Sequence, residues 1–450
     1  MKRVLLIVAA ALGLLLALGG FVVWRALHAV GTKEFQQSLL AEARARLGTD
    51  VQVQSMQISI LHGFRLRGVK IKNPSGLAGD LLTADTFALG YDLWPLLRGR
   101  LAIDELSVDK PVIRIVADAR GAYNYERLKV YETSGSSHAA PAAATSSFLR
   151  EIVVERLALK DANLALAEGK TTFMRLEGMS FESRLAVGAS EAAGEGRARI
   201  GLLALGESLF LRGIEAPITV SRKGLRLEPI KARLAEGRVA GQVHLDLQPD
   251  LRWAMDLKVD DAAVATLLKE AGFAPSTSGS LLAVATLAGT GGALTARGKG
   301  RAEVSRCKVS ESPVLMALSG VLQLPELRAP RFDECRMEFE VGSGVVRTTM
   351  LSLKGPTLEL TGKGTYGLGT SALDYDLTLA LSKELLARVP GNTTRAAFKK
   401  REDGFGTLDF GVTGTAAAPR VDLLARFGAS VATEAAKEGL RKLFGKKKNP

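Results

Sequence analysis

Two stretches of the chain repeat one half-apolar phrase: LAIDELSVDKPVIRIV at residues 101–116 and IVVERLALKDANLALA at residues 152–167. Polar residues mostly separate the apolar ones, which is the alternation of a β-strand with one buried side. The matched apolar positions are Leu106 with Leu157, Val108 with Leu159, Ile113 with Leu164, and Ile115 with Leu166. A strand with one apolar side must bury that side against another part of the structure. The fold therefore depends on which part covers it.

The same alternation runs through most of the chain and predicts about twenty to twenty-five strands. Residues 373–381, LDYDLTLAL, are typical, since leucine and tyrosine alternate with aspartate and threonine. Between the N-terminal apolar run and the C-terminal tail, helical spacing of apolar residues is confined to residues 32–47, which Gly48 follows, and to residues 262–271 and 313–322. The sequence therefore predicts a mainly β protein, built as a long run of antiparallel hairpins with a few short helices.

Composition excludes several classes of protein. Of the 450 residues, 47% are apolar and 24% charged, which is too apolar for a disordered chain. The formal net charge is +13, but residues 437–448 carry six lysines and arginines against Glu438. The rest of the chain is therefore only mildly basic, which argues against nucleic acid as a partner.

The N-terminus predicts a membrane anchor. Lys2 and Arg3 precede an uncharged apolar run from Val4 to Trp24, which is long enough to cross a hydrocarbon core of about 30 Å. A cleaved signal peptide is the alternative, with small residues near Ala17 as its cleavage site. The apolar run continues past that site, so we favour a single-pass anchor with the bulk of the chain across the membrane, which in a bacterium is the periplasm.

The C-terminus has the pattern of an amphipathic helix with a cationic rim. Apolar residues from Leu424 to Phe444 recur at helical spacing, and cations crowd toward the end. Such a helix can lie on anionic head groups, whereas the alternative is a helix that docks on the last strands. The expected membrane contacts, together with the anchor's Trp24, are Phe427, Leu440, Arg441, Lys442, Leu443, Phe444, Lys446, Lys447 and Lys448.

The sequence carries no residues at the spacing of a catalytic, metal-binding or cofactor-binding motif. The four histidines are scattered, and Gly298–Gly300 lacks the Ser or Thr that follows the lysine of a phosphate-binding loop. Asp374 and Asp376 lie on the polar side of a predicted strand. The sequence therefore predicts a protein that is not an enzyme and takes no metal or cofactor. Cys307 and Cys335, the only cysteines, fit either one disulfide or two free thiols.

The apolar side of these strands could form a sandwich core, close a barrel, or line a folded-over sheet that holds a ligand. The repeats and the low aromatic content, 6%, favour a curled sheet with an aliphatic floor over an ordinary sandwich. Such a groove suits acyl chains, which require apolar area and no hydrogen bonds. The expected groove residues are Ile103, Val108, Ile113, Ile115, Leu157, Leu159, Leu164, Leu166, Tyr375, Leu377 and Leu379.

Several segments, taken in order, resemble the AsmA-like family, relatives of TamB and of chorein-type bridge lipid-transfer proteins. Near the N-terminus they are RARLGTDVQV (44–53), SMQISILHGFRLRGVKIKNP (55–74), LGYDLWPLLRGRLAIDELSVDKPVIRIVAD (89–118) and RGAYNY (120–125). In the C-terminal third they are GKGRAEVSRCKVS (298–310), SPVLMALSGVLQL (312–324), GSGVVRTTMLSLKGPTLELTGKGTY (342–366) and LDFGVTGTAAAPRVDL (408–423). Residues 170–290 match least.

The resemblance implies an inner-membrane-anchored periplasmic protein whose taco-like β-groove serves phospholipid transport or outer-membrane biogenesis, with no catalytic residues to carry over. The alternative function is a scaffold or assembly factor for outer-membrane proteins that acts through exposed strand edges. The expected segments are a cytoplasmic stub and anchor (1–25), an N-terminal helix and sheet (26–132), a Ser/Ala-rich linker (133–147), a middle β-region (148–290), a C-terminal β-domain (291–425) and a basic tail helix (426–450).

Overall fold

The alternating segments form β-strands, and the three segments with helical spacing form helices, as the sequence predicts. The structure is a computed structural model. It describes residues 33–59, 63–74, 77–92, 94–95, 100–117, 122–129, 151–169, 171–188, 192–246, 252–272, 277–290, 295–310, 312–416 and 418–422. The predicted anchor, the linker at residues 133–147 and the tail helix lie outside these residues.

The chain divides into two compact units, and the division along the sequence falls within one strand, β13 (Arg252–Ala263). The first unit holds helix α1 (Lys33–Leu47) and a sheet. Its strands are β1 (Val51–Gln52), β2 (Ser55–Ser59), β3 (Gly63–Lys72), β4 (Asp80–Asp92), β5 (Arg100–Asp109), β6 (Val112–Ala117), β7 (Glu151–Glu168), β8 (Thr171–Gly188), β9 (Ala192–Leu205), β10 (Leu209–Ser221), β11 (Gly224–Leu234) and most of β12 (Gly237–Asp246).

Within the residues that the structure describes, the second unit contains the remaining strands and four short helices, α2 to α5. The helices are α2 (Val264–Glu270), α3 (Pro313–Leu322), α4 (Lys383–Ala387) and α5 (Asn392–Ala396). The strands are β14 (Thr277–Thr290), β15 (Arg297–Val309), β16 (Arg331–Phe332), β17 (Glu334–Gly342), β18 (Val345–Lys354), β19 (Leu358–Gly367), β20 (Ala372–Leu381), β21 (Lys399–Lys400), β22 (Gly406–Thr415) and β23 (Ala418–Val421). Their main ladder runs antiparallel in the order β14, β15, β17, β18, β19, β20, β22 and β23.

The repeated phrase does not form an antiparallel hairpin, which corrects the expectation of antiparallel pairing throughout. Its second copy, β7, runs parallel to β5 and β6, which lie end to end in the first copy. Residues 118–150 connect the copies and allow the chain to re-enter the sheet in its original direction. On either side of this parallel pairing the strands run antiparallel, β3 with β4 and β4 with β5 on one side, and β7 with β8 and on through β9, β10 and β11 on the other.

A line of backbone irregularities crosses this sheet. Lys110 and Asp161 adopt left-handed conformations, with φ of 46° and 49°, at the same place in the two copies. The ladder continues through the kink, because the Lys110 amide donates to the Lys160 carbonyl at 2.7 Å. Gly68, Gly178 and Gly213 have φ between 58° and 61° on β3, β8 and β10. Irregularities of this kind bend strands and increase their twist, so the sheet curls.

Helix α1 covers the apolar side of the first strands. Leu39, Ala43 and Leu47 recur at helical spacing and are buried against β3, β4, β5 and β6. Gly48 ends the helix in the left-handed conformation, with φ of 69°, and its amide donates to the Arg44 carbonyl at 2.8 Å. The helix thereby provides a second layer for this part of the sheet.

A buried amide fixes the other element that covers the first strands. Asn124 lies in a 3₁₀ turn, Asn124–Arg127, and its Nδ2 donates to the Arg114 carbonyl and to Oδ1 of Asn73, each at 2.8 Å. Its Oδ1 accepts from the Tyr125 amide at 3.0 Å. Because its hydrogen bonds are satisfied, Asn124 can be fully buried and hold Tyr125 and Leu128 against the core.

Candidate functional site

One row of directly paired side chains shows where the cover of the first unit ends. Ile115 on β6 is 0% exposed, and its partner on β7, Leu166, is 3% exposed. The row continues through the half-buried Met174 on β8 to Leu205 on β9, which is 40% exposed. The apolar side of the sheet therefore extends beyond the layer formed by α1 and the 3₁₀ turn.

We call the uncovered part of this side the first open face. It spans three neighbouring strands, β8, β9 and β10, and its large side chains, apart from the buried Ile218, are half-buried or exposed. These residues are Met174, Leu176, Phe181, Leu185, Ile200, Leu203, Leu205, Leu209, Leu211, Ile214 and Val220. The face is contiguous, because the ladder pairs Leu176 with Leu203 and Leu203 with Leu211.

Small residues along β9 lower the floor of this face. Gly196 and Ala198 lie between larger side chains, since the ladder pairs Ala198 with Phe181 on β8 and Gly196 with Ile218 on β10. A Cβ at Gly196 would overlap the backbone of β8 at Glu182, so this close approach of the strands requires glycine. The first open face therefore has a shallow trough along its middle strand.

In the second unit, too, the apolar side chains are buried at one end of the strands and less buried at the other. At one end, Leu360, Leu379 and Leu408 form a paired row that is buried beneath side chains of α3, α4 and the segments beside them. At the other end the side chains are half-buried, and this end forms the second open face. Its residues are Leu287, Phe339, Val341, Val346, Tyr366, Leu373 and Tyr375.

Two aromatic rings of the second open face lie across glycines on neighbouring strands. A Cβ at Gly300 would overlap the ring of Phe339, and one at Gly364 would overlap that of Tyr375. The hydroxyl oxygens of Thr348 and Tyr375 are 2.9 Å apart and share a hydrogen bond. The buried hydroxyl of Thr348 is thus satisfied, and the face remains apolar in character.

The opposite side of the first sheet is charged and solvated. Arg156 pairs with Glu182 across β7 and β8 at 2.9 Å, and Arg184 pairs with Glu155 across the same strands at 2.9 Å. Exposed pairs of this kind contribute little to stability. Their significance is that they mark the water-facing side and leave the other side for an apolar partner.

Two hollows in the described residues differ from the open faces. An apolar cavity of about 50 Å³ lies beneath α1 among Leu39, Phe64 and Phe87, far smaller than ligand pockets of about 300–1,000 Å³. A depression of about 600 Å³ beside β18 and β19 is wide open and includes Lys363, Asp376 and other polar-side residues. Neither encloses an acyl chain, so the candidate site is the pair of open faces.

Most of the expected groove residues serve the chain's own packing. Eight of them are buried in the covered cores and expose at most 9% of their surface; these are Ile103, Val108, Ile113, Ile115, Leu164, Leu166, Leu377 and Leu379. Leu157, Leu159 and Tyr375 are half-buried at the borders of the cover. The alternating pattern identifies the apolar side correctly, but it cannot show which part α1, α3 and α4 cover.

The open face on β8, β9 and β10 was missed for two reasons. These strands lie in the part of the chain that resembles the AsmA-like family least. In addition, the left-handed residues change which alternate positions share a side, so that Phe181 and Leu176 face the same way across Gly178. An alternation that changes phase at a glycine is the sequence signal that identifies which residues of these strands share the apolar side.

The cysteines lie together in the second core. Both are buried free thiols, and the Cys335 thiol donates a hydrogen bond to the sulfur of Cys307. This hydrogen bond and burial raise the pKa of Cys335, whereas the same bond lowers the pKa of Cys307 by stabilising its thiolate. Their proximity is compatible with a disulfide, one of the two alternatives that the sequence leaves open.

The expected membrane contacts at Trp24 and at Phe427, Leu440, Arg441, Lys442, Leu443, Phe444, Lys446, Lys447 and Lys448 lie outside the described residues. Among the helices that the structure describes, none has both the length and the hydrophobicity to cross a bilayer. The same part of the chain contains no cluster of three or more His, Cys, Asp or Glu that could hold a metal.

No protein-family model matches the chain, and neither a curated protein nor a solved structure matches it significantly.

Proposed function

We propose that this protein binds phospholipid acyl chains on its two open faces and contributes to phospholipid transport and outer-membrane biogenesis, without catalysing a reaction. In this proposal the N-terminal anchor holds it in the inner membrane and the sheets lie in the periplasm. The supporting observation is the row from Ile115 to Leu205, along which an unbroken apolar side passes from full burial to exposure.

A contiguous set of apolar side chains that stay partly exposed on three neighbouring strands favours a binding partner. Monomeric soluble proteins rarely expose contiguous apolar patches larger than a few hundred Å², and larger patches mark binding surfaces. The side chains of the first open face are aliphatic or aromatic, and their neighbours in the trough are small. Acyl chains match such a surface, because each buried methylene contributes about 0.8 kcal/mol and requires no hydrogen bond.

The charged side of the sheet supports a directional arrangement. Acyl chains would lie on the apolar side, while the ion-paired side with Arg156 and Arg184 stays in water. A phospholipid bound in this way keeps its head group at the rim of the open face. No covalent step is required, which agrees with the non-enzymatic proposal.

The test is quantitative mass spectrometry of lipids extracted from the purified full-length chain. The informative variant is Leu203→Gln with Leu211→Gln, a directly paired couple on the first open face. The matched control is Leu202→Gln with Arg212→Gln, the next pair along the same two strands, which faces the opposite way. Lipid held by the predicted anchor is common to all three proteins, so a difference in phospholipid per chain measures the lipid bound on the first open face.

We expect the Leu203 and Leu211 variant to carry less phospholipid per chain than both the unaltered protein and the control. Circular dichroism and thermal unfolding should show all three proteins folded, because none of the four substituted side chains is fully buried. Equal lipid content in three folded proteins would contradict the proposal. Copurification of a protein client in place of lipid would favour the scaffold function.

A further inference from the structure

We propose that the turn formed by Trp94 and Pro95, at the end of β4, inserts into the interface of the bilayer that anchors the chain. This inference rests on the proposed membrane anchor and is separate from lipid binding on the open faces. The partner is a phospholipid surface, recognised through an exposed indole ring.

The exposure of Trp94 stands apart from that of every other large apolar side chain in the described residues. Trp94 is 80% exposed, whereas the next most exposed, which include Phe173 and Leu205, are 40% exposed. Indole combines a large apolar body with one hydrogen-bond donor, and tryptophan is therefore enriched at membrane–water interfaces.

A hydrogen bond and a proline constrain the backbone of the turn that carries the exposed indole. The Trp94 amide donates to Oδ1 of Asp92 at 2.9 Å, which closes a short turn at the end of β4. Pro95 then restricts the backbone directly after the tryptophan, because its ring fixes φ. The chain therefore presents Trp94 on a constrained turn.

This turn lies at the end of the first unit where α1 begins. Leu39, in the first half of α1, shares an apolar cluster with Tyr91 near the end of β4, whereas Leu47 shares the other cluster with Leu81 near its start. Helix α1 therefore runs antiparallel to β4, and its first residue, Lys33, lies toward Trp94.

The sequence before α1 places this end close to the bilayer. The apolar run ends at Trp24, and residues 25–32 separate it from Lys33. Even fully extended at about 3.3–3.6 Å per residue, this segment spans less than roughly 30 Å. The end of the unit that carries Trp94 is thus tethered within reach of the head groups.

The experiment uses the full chain in vesicles of phosphatidylethanolamine and phosphatidylglycerol, with and without lipids brominated on their acyl chains. Trp24→Phe with Trp253→Phe leaves Trp94 as the sole tryptophan. The matched control, Trp24→Phe with Trp94→Phe, leaves only Trp253, which is buried in the protein. We expect brominated lipid to quench at least half of the Trp94 fluorescence and to leave Trp253 nearly unchanged.

A second measurement guards against misfolding of the double variants. In the otherwise unaltered chain, Trp94→Phe alone should remove most of the lipid-quenchable fluorescence that does not come from Trp24. Flotation of the vesicles reports the anchor independently. A chain that floats with Trp94 quenched by acrylamide but not by brominated lipid would overturn this inference alone. A chain that fails to float would overturn it together with the proposed anchor.

Discussion

Leu106 and Leu157 lie side by side in a parallel ladder, at the same position of two copies of one phrase. Ile113 and Leu164 are paired in the same way further along. The repeat therefore adds a strand whose apolar side continues that of the first copy, as in architectures in which self-similar units stack on their neighbours. Beyond the second copy the apolar side continues on β8, β9 and β10, but its cover does not.

Leu166 and Leu205 belong to one row across the sheet, and replacing each by a charged residue should have different effects on stability. Leu166→Asp places a carboxylate in the covered core and should lower the free energy of unfolding by at least about 3 kcal/mol. Leu205→Asp, on the first open face, should change it by less than about 1 kcal/mol. Urea unfolding followed by circular dichroism measures both. Similar large losses would mean that another part of the chain covers Leu205.

The packing of α1 on the first sheet leads to a second prediction. Leu47 is buried at the end of α1, so Leu47→Ala should cost about 2–5 kcal/mol of unfolding free energy through lost burial and a residual cavity. Glu42→Ala on the exposed side of the same helix removes only an i,i+4 pair with Arg46 and should cost less than about 0.5 kcal/mol. Equal effects in denaturant unfolding would contradict the packing of α1 on the sheet.

The left-handed residue shared by the two copies predicts an unusual ranking of the stabilities of substituted proteins. Asp161 has φ of 49°, so Asp161→Gly should be neutral or stabilise by up to about 1 kcal/mol, and Asp161→Val should destabilise by roughly 1–2 kcal/mol. At Glu155, an extended position of the same strand, valine should be better than glycine. Thermal unfolding of the four variants measures the order. The same order at both positions would contradict a left-handed residue at 161.

Much of this fold could be predicted from the sequence. Helical spacing placed α1 within one residue of its observed start and α3 at its observed bounds, and alternation identified which side of β20 is apolar. The parallel pairing of β7 could not be predicted, because a one-sided strand has the same alternation in either direction. The division between covered and open faces depends on where α1 and α3 pack, and strand patterns carry no information about that.

The cysteine pair links the fold to the proposed compartment. Cys307 and Cys335 are buried together and hydrogen-bonded, so in an oxidising periplasm we expect them to form a disulfide. In the loop-entropy model, linking these positions would stabilise the protein by roughly 3–4 kcal/mol. Alkylation in denaturant without reductant, followed by mass spectrometry, should leave both cysteines unmodified. Complete alkylation of both would show that the thiols stay reduced in the cell.

Position-specific photocrosslinking in cells tests most directly whether an open face holds lipid. A benzophenone amino acid at Leu211 would lie on the first open face, and one at Arg212, the next residue of β10, would point to the water-facing side. We predict adducts with the mass of phospholipid at position 211 and few or none at position 212. Equal lipid labelling at the two positions, or only protein adducts at 211, would contradict the account.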